Sequence, residues 1–244
     1  MSYAILSDIH ANFQALQRVL KDAARLQIER FIICGDLVGY GAQPNECCQA
    51  IRELNAPVVR GNHDEAAVRP AKEEWFNAAA RACIQWTRET LSEDNLAFLR
   101  ELPPTQRVPG AHVCHGSLPD PDLYTTGPRE AMTSLAVMEE DLCFLGHTHC
   151  AEWYTYRNDQ RLPGQSPRPE GGRLELAAGR KYVVNPGGVG QPRDGNSQTS
   201  YAVWDPEART VEIRRLSYDV AAAQRLIYEA GLPQSMAERL RYGV

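Results

Sequence analysis

The 244-residue sequence has no apolar run near the ~20 residues of a membrane span and no internal repeat or low-complexity linker. Its start, Met1-Ser2-Tyr3-Ala4-Ile5-Leu6-Ser7-Asp8, lacks a basic segment, and the apolar run that follows is too short for an export signal. The seven cysteines (34, 47, 48, 83, 114, 143 and 150) are odd in number and show no paired spacing. A disulfide framework is therefore not expected, and buried reduced thiols in a cytoplasm are. There is no basic excess: the formal charge is −5. That balance gives no field to recruit nucleic acid or an anionic membrane, and no nucleic-acid-binding patch is evident. A small phosphorylated substrate stays open, because bound metal ions supply positive charge locally. A homo-oligomer is compatible with the sequence, which is silent on assembly.

What is present is an ordered alternation of apolar runs and polar clusters. Tyr3 to Leu6, Phe31 to Cys34 and Pro57 to Arg60 read as strands. A helical period runs from Asn12, with Asn12 as N-cap, and a second helix from Pro44 to Leu54. This β-α-β-α-β rhythm implies a parallel sheet, in which ligands bind at the carboxyl ends of strands. Residues from about 66 to 102 follow a helical pattern. Trp75, Phe76 and Trp86 fall on a helical face there and are read as core packing rather than as a base-stacking platform. The second half turns strand-rich, over Ala111–His115, Leu142–Leu145, Glu152–Tyr156, Arg173–Leu176, Lys181–Val184, Ser200–Trp204 and Thr210–Arg214. Leu162 to Gly172 is Gly/Pro-rich and reads as a loop or hairpin tip. The expectation is one domain over 1–244: a metal-binding half at 1–65, a helical segment at 66–110, a strand-rich half at 111–217 and C-terminal helices at 218–244.

Five of the six histidines (His10, His63, His115, His147 and His149) stand at or beside predicted strand ends, next to small or acidic residues. A lone histidine is usually structural; the set is not. Imidazole and carboxylate donors together suit zinc, manganese or iron. Two metals sharing a carboxylate need about seven donors, and Asp8, His10, Asp36, Asn62, His115, His147 and His149 supply them. Asp8 and His10 are separated by one residue in a strand-end loop, so both turn to one side, and His147 and His149 repeat that spacing. His112 competes with His115. The two lie an odd distance apart and so point to opposite faces of a strand; His115 precedes a glycine at the strand end and is preferred.

The order Asp8-x-His10, Gly35-Asp36, Gly61-Asn62-His63-Asp64, His115, Gly146-His147-x-His149 resembles the calcineurin-like metallophosphoesterase superfamily, with about 25 residues between the first three motifs. Ser7-Asp8-Ile9-His10-Ala11-Asn12 and Asn185-Pro186-Gly187-Gly188-Val189-Gly190-Gln191-Pro192-Arg193 are similar to its small, capless bacterial and archaeal phosphodiesterase branch. Each motif alone is weak; the ordered set is specific.

The resemblance implies an α/β fold, a four-layer α/β/β/α sandwich of two facing mixed β-sheets flanked by helices. It implies that Asp8, His10 and His149 hold one metal, that Asn62, His115 and His147 hold the other, and that Asp36 bridges both. It makes His63 the catalytic histidine, an imidazolium that protonates the leaving alkoxide, with Asp64 orienting it and keeping it charged; a helix N-cap is the plainer reading of Asp64. The implied cofactors are two divalent or trivalent transition-metal ions (manganese, iron, zinc, cobalt or nickel). The implied reaction is hydrolysis of a phosphate ester, in first place a phosphodiester, by a hydroxide bridging the metals. The alternatives are a phosphomonoester or phosphoprotein phosphatase, a dinucleoside polyphosphate hydrolase, or an inactive metal-binding interaction module. Asn12, Tyr40 and Arg193 are candidate substrate contacts, each with a plainer reading as cap, packing residue and solvated arginine.

Overall fold

The computed structural model describes all residues, Met1–Val244. The chain order begins β1 (Tyr3–Leu6), α1 (Phe13–Arg25), β2 (Arg30–Ile33), α2 (Pro44–Glu53), α3 (Asn62–Val68), a 3-10 turn (Pro70–Trp75), α4 (Ala78–Thr90) and α5 (Glu93–Glu101). It continues through β3 (Thr105–Val108), β4 (Ala111–Cys114), α6 (Pro128–Val137), β5 (Leu142–Phe144), β6 (Ala151–Tyr156), β7 (Gly164–Pro167), β8 (Gly172–Glu175) and β9 (Lys181–Pro186). It closes with β10 (Thr199–Asp205), β11 (Thr210–Leu216), α7 (Val220–Glu229) and α8 (Gln234–Glu238).

The strands form two mixed sheets, β2-β1-β10-β11-β8 and β3-β4-β5-β9-β6-β7. In each strand, alternate residues serve different layers. Ala4 and Leu6 pack outward with Leu16, Val19, Cys47 and Leu99 of the α1, α2 and α5 layer. Ile5 points inward, where with Ile32, Ala202 and Trp204 it meets Phe144, Trp153, Tyr182 and Val184 of the second sheet. Cys143 and Val183 point outward again, against Ala131, Leu135 and Met138 of the α6 region. Strands buried on both faces read as unbroken apolar runs, and the result is the expected four-layer α/β/β/α sandwich. A further apolar cluster joins α4, α7 and α8 to Tyr40 at one end.

Several local expectations need correction. Pro57 to Arg60 is not a full strand: only Val58 bridges in parallel to Ile33, with Ile33 N–H donating to Pro57 and Val59 N–H to Ile33, each at 3.0 Å. Pro57 lacks an N–H, and the segment turns at once into α3. The Gly/Pro-rich stretch contains β7, which adds to the edge beside β6, where a proline such as Pro167 is tolerated. β3 falls at the end of the segment 66–110 expected to be helical, and α6 is a helix within the strand-rich half. β1 lies between β2 (parallel) and β10 (antiparallel), with Ile5 beside both Ile32 and Ala202, so the 1–65 and 111–217 segments share a sheet and the first sheet is mixed rather than parallel. Trp75 is not core: it is 87% exposed at the end of the 3-10 turn. No helix is long and apolar enough to cross a membrane. All seven cysteines are free, six of them buried.

Candidate metal centre

The polar clusters meet at one end of the sandwich, following the carboxyl ends of β1, β2, β4 and β5. Backbone bonds tie their loops together: Asp8 N–H donates to Gly35 (3.0 Å), His10 N–H to Asp36 (2.9 Å), Gly146 N–H to His115 (2.8 Å) and Gly190 N–H to Asp8 (2.9 Å). The approach is close. A Cβ at Gly61 would lie 2.0 Å from Asp36 Oδ1, and one at Gly146 would lie 1.7 Å from Ser7 Oγ. Asp8, His10, Asp36, Tyr40, His147 and His149 all adopt left-handed backbone conformations, with φ between 48° and 68°. Such residues cost roughly 1 kcal/mol or more apiece. Against a net stability of about 5–15 kcal/mol, a cluster of them signals a place shaped for function.

The donors form two groups. Asp8, His10, Asp36 and His149 place their ligand atoms within 4.8 Å of one another, and so do Asp36, His115 and His147. Asp36 belongs to both, and Asn62 Oδ1 lies 3.1 Å from His115 Nε2. All seven sequence-derived donors are therefore brought together at this end of the sandwich. His112 stands apart: its Nε2 accepts from the Glu139 and Glu140 amides at 3.1 and 3.4 Å.

The second nitrogen of each donor histidine is pinned to a backbone carbonyl: His10 Nδ1 to Val38 (3.0 Å), His115 Nδ1 to Cys34 (2.8 Å), His149 Nδ1 to Gln191 (2.6 Å) and His147 Nε2 to Asp122 (3.1 Å). A carbonyl only accepts, so those nitrogens carry the protons and the opposite ones present lone pairs. Two of these, His10 Nε2 and His149 Nε2, face each other at 3.1 Å. Neither then has a proton to offer the other, and a bound cation would satisfy the contact. Asp36 Oδ2 is likewise buried without a hydrogen-bond partner, 3.5 Å from His10 Nε2 and 3.2 Å from His115 Nε2. Carbonyl-pinned imidazoles around a bare carboxylate oxygen are the arrangement of a metal site, and the buried Asp/His clusters suit divalent metal ions.

The titration pattern agrees. Burial pushes Asp8 up to about 6. Burial also opposes charge on His115, but the Asp36 and Asp8 carboxylates outweigh it and raise the ring to about 10, so a metal ion at its Nε2 would displace a proton there. Asp36 is held well below the usual carboxylate range, its burial outweighed by His115 and His63. The cluster thus draws positive charge to itself.

His63 lies beside this cluster, buried, with its backbone N–H donating to Asp36 Oδ1 at 2.9 Å. Its ring packs against Tyr40 and Phe76, with centroids at 4.4 and 4.6 Å. The expected partnership with Asp64 is absent. Asp64 accepts from the backbone N–H groups of Leu37 (2.8 Å), Val38 (3.2 Å) and Gly61 (3.0 Å), while His63 Nδ1 has no partner. Asp64 caps α3 and pins the Asp36 loop. Burial lowers His63 to about 4, with the Asp36 charge only partly offsetting it, so the ring alone is neutral at neutral pH. Asp64 is thus not the N-cap itself, which is Gly61, but the capping-box carboxylate in the first turn of α3, and the ring-charging role is absent.

Asn12 is also spent within the protein: Oδ1 caps α1 at Ala15 N–H (3.2 Å), and Nδ2 donates to the Gly190 carbonyl (2.8 Å) and Tyr218 Oη (3.2 Å). That leaves it a brace rather than a substrate contact. Arg193 is half-buried, donates to Gln191 Oε1 at 2.9 Å and stands over the Tyr40 ring at 5.5 Å, with no carboxylate paired to it. Residues missed from sequence include Asn185, whose Nδ2 holds the Gly146 carbonyl (2.8 Å) and Thr148 Oγ1 (2.9 Å), and Tyr124, which stacks on His147 at 3.7 Å. Asn185 lies in a motif whose composition reads as a turn, and Tyr124 in a loop that signals nothing. A cleft of about 530 Å³ opens beside Asn62 and His147, lined also by Tyr40, Phe76 and Tyr124.

Residues 1–209 match the family described as the calcineurin-like phosphoesterase superfamily domain. An uncharacterized protein of Methanocaldococcus jannaschii is 34% identical over 244 residues, covering 98% of this chain and 97% of that protein. The crystal structure of a metallophosphoesterase from Sphaerobacter thermophilus superposes with a TM-score of 0.88 at 37% identity, covering 100% of both chains. That of a hypothetical protein from Pyrococcus horikoshii gives 0.79 at 22% identity, over 100% of this chain and 98% of that one, a likeness of fold.

Proposed function

Since the chain belongs to the calcineurin-like phosphoesterase superfamily and is a phosphoester hydrolase, we propose that it cleaves phosphodiesters at a dinuclear metal centre. The observation that carries this reading is the pair of donor groups sharing one bare, buried oxygen, Asp36 Oδ2. Asp8, His10 and His149 would hold one ion; Asn62, His115 and His147 the other; Asp36 both. Manganese, iron, zinc, cobalt or nickel suit such donors. When bound, the pair offsets the negative charge of the ester and makes water acidic enough to attack phosphorus.

The chain's own groups supply the rest. Arg193, a guanidinium without a carboxylate partner, binds a non-bridging phosphate oxygen. Gln191 and the Tyr40 ring hold it in place. His63 delivers the proton to the leaving oxygen. Gly39 abuts its Nδ1, where a Cβ would lie 2.4 Å away, so Nε2 is the nitrogen that faces the substrate. A phosphate anion beside the ring favours its charged form, so protonation accompanies substrate binding. Asp64 positions His63 through the backbone. The cleft beside His147 gives the leaving group room, which favours a diester over a monoester.

The test is metal analysis together with hydrolysis of bis-p-nitrophenyl phosphate and p-nitrophenyl phosphate by wild type, Asp36→Asn and His63→Ala. The expectation is bound transition metal, faster turnover of the diester, and loss in both variants. Metal-free wild type with equal activity in all three proteins would sink the reading. Preference for the monoester would move the assignment to a phosphomonoester or phosphoprotein phosphatase.

A further inference from the structure

The cleft beside the second donor group carries more than room. Trp75 lines it and is 87% exposed, and Tyr124 lines it at 49% exposure. Two large open rings beside a catalytic centre are an unusual use of apolar surface. Neither is free to pack into the core. Trp75 ends a 3-10 turn, and Tyr124 has one face committed to the His147 ring. The polar lining is mixed. Asp120 and Asp122 present carboxylates, Lys72 an ammonium, and none of the three forms an ion pair within the protein. The volume, about 530 Å³, lies in the range of sites that enclose a drug-sized molecule.

Resting on the diesterase reading above, we propose that this cleft binds a nucleoside as the leaving group of the diester. A nucleobase offers the flat π-face that an open indole stacks upon, and such stacking tolerates any base. Its amino groups and the ribose hydroxyls donate to Asp120 and Asp122, and its ring nitrogens accept from Lys72. The third acidic lining residue, Glu65, is paired with Arg60 and Arg69, so two unpaired carboxylates against one ammonium leave the lining net negative, and a leaving group with further phosphates is repelled. The cleft therefore selects a nucleoside over a nucleotide and disfavours dinucleoside polyphosphates. In the reaction, the attacking water gives a proton to solvent and its oxygen bonds to phosphorus as the bond from phosphorus to the nucleoside 5′-oxygen breaks, leaving the phosphate monoester of the other alcohol. His63 gives its proton to that oxygen, and free nucleoside leaves from the cleft.

The experiment compares adenosine 5′-(methyl phosphate) with ribose 5-(methyl phosphate), its base-less counterpart, using metal-loaded protein and chromatographic detection of products. Wild type is expected to prefer the nucleoside ester in kcat/KM by on the order of tenfold. Trp75→Ala, a substitution at an exposed side chain, brings that ratio near one. A wild-type ratio near one, an unchanged ratio in Trp75→Ala, or faster cleavage of diadenosine tetraphosphate overturns the proposal. A second readout needs no turnover: adenosine quenches tryptophan fluorescence saturably in wild type, and the quench disappears in Trp75→Phe/Tyr124→Ala. If neither ester is hydrolysed but the quench is saturable, the catalytic reading fails and the cleft assignment stands. If the esters are hydrolysed without quenching or base preference, the reverse holds.

Discussion

Two buried aspartates, each at most 1% exposed, show what separates a structural carboxylate from a reactive one. Asp22, on α1, is saturated. It accepts from Tyr201 Oη at 2.7 Å, Arg25 at 3.0 Å and Arg214 at 3.1 Å, and burial is outweighed by these partners, which lower its pKa. Asp36 lies under the same burial but keeps one oxygen without a hydrogen-bond partner, 3.5 Å from His10 Nε2 and 3.2 Å from His115 Nε2. Burying an anion is costly unless it is paired. At Asp22 the protein completes the pairing itself; at Asp36 the pairing is left for a cation from outside. Burial alone does not distinguish the two, whereas counting donors does.

The sharpest way to break this contrast is Asp36→Asn. The amide keeps the shape but loses the bridging charge, and turnover of bis-p-nitrophenyl phosphate is expected to fall by on the order of a thousandfold, several kcal/mol of barrier. The fold should survive, as judged by circular dichroism; a variant within tenfold of wild type would deny Asp36 its shared role. His63→Ala should cost about a hundredfold in kcat while leaving metal content intact, which elemental analysis checks.

Asp22→Ala is the converse. It strands Arg214 and the Tyr201 hydroxyl and is expected to destabilise the fold by about 3–5 kcal/mol in denaturant titration, with kcat/KM within about twofold of wild type. A milder probe is pH. The pKa of Asp22 is depressed on folding, so its contribution is complete above the ordinary carboxylate value of about 4 and is lost as pH falls through the lower folded value. Asp22→Asn should therefore flatten the stability loss of wild type below about pH 4. Identical acid limbs would show that Asp22 carries no such linkage. The smallest expected effect is a rise in Tm on adding manganese, present in wild type and Asp22→Asn and absent in Asp36→Asn.

Much of the centre was legible because its donors stand where apolar runs end, and strands buried on both faces announce themselves as such runs. Asp8, Asp36, His115 and His147 are all found that way. What hides is whatever depends on distant partners. Nothing near Tyr3 indicates that it pairs with Trp204, and so the antiparallel insertion of β10 beside β1 is invisible locally. Asp64 adjoins His63 in sequence, which invites a partnership, yet the helix turn carries its carboxylate to backbone amides instead. Trp75 fits a helical stripe by spacing, but the chain there winds as a 3-10 turn and presents the indole outward. The left-handed conformations at Asp8, His10 and Asp36 leave no compositional trace, since none is glycine.

The place of β10 beside β1 also fixes an order of assembly. The Asp8-His10 loop leaves the ribosome first, but its carbonyl at Asp8 is bonded by Gly190, and its strand gains a second neighbour only when residues 199–205 exist. The first ligands made are thus among the last to be locked. A nascent chain stalled before β9 would hold all seven donor side chains but not the partners that lock them, so metal capture is expected to follow synthesis rather than guide it.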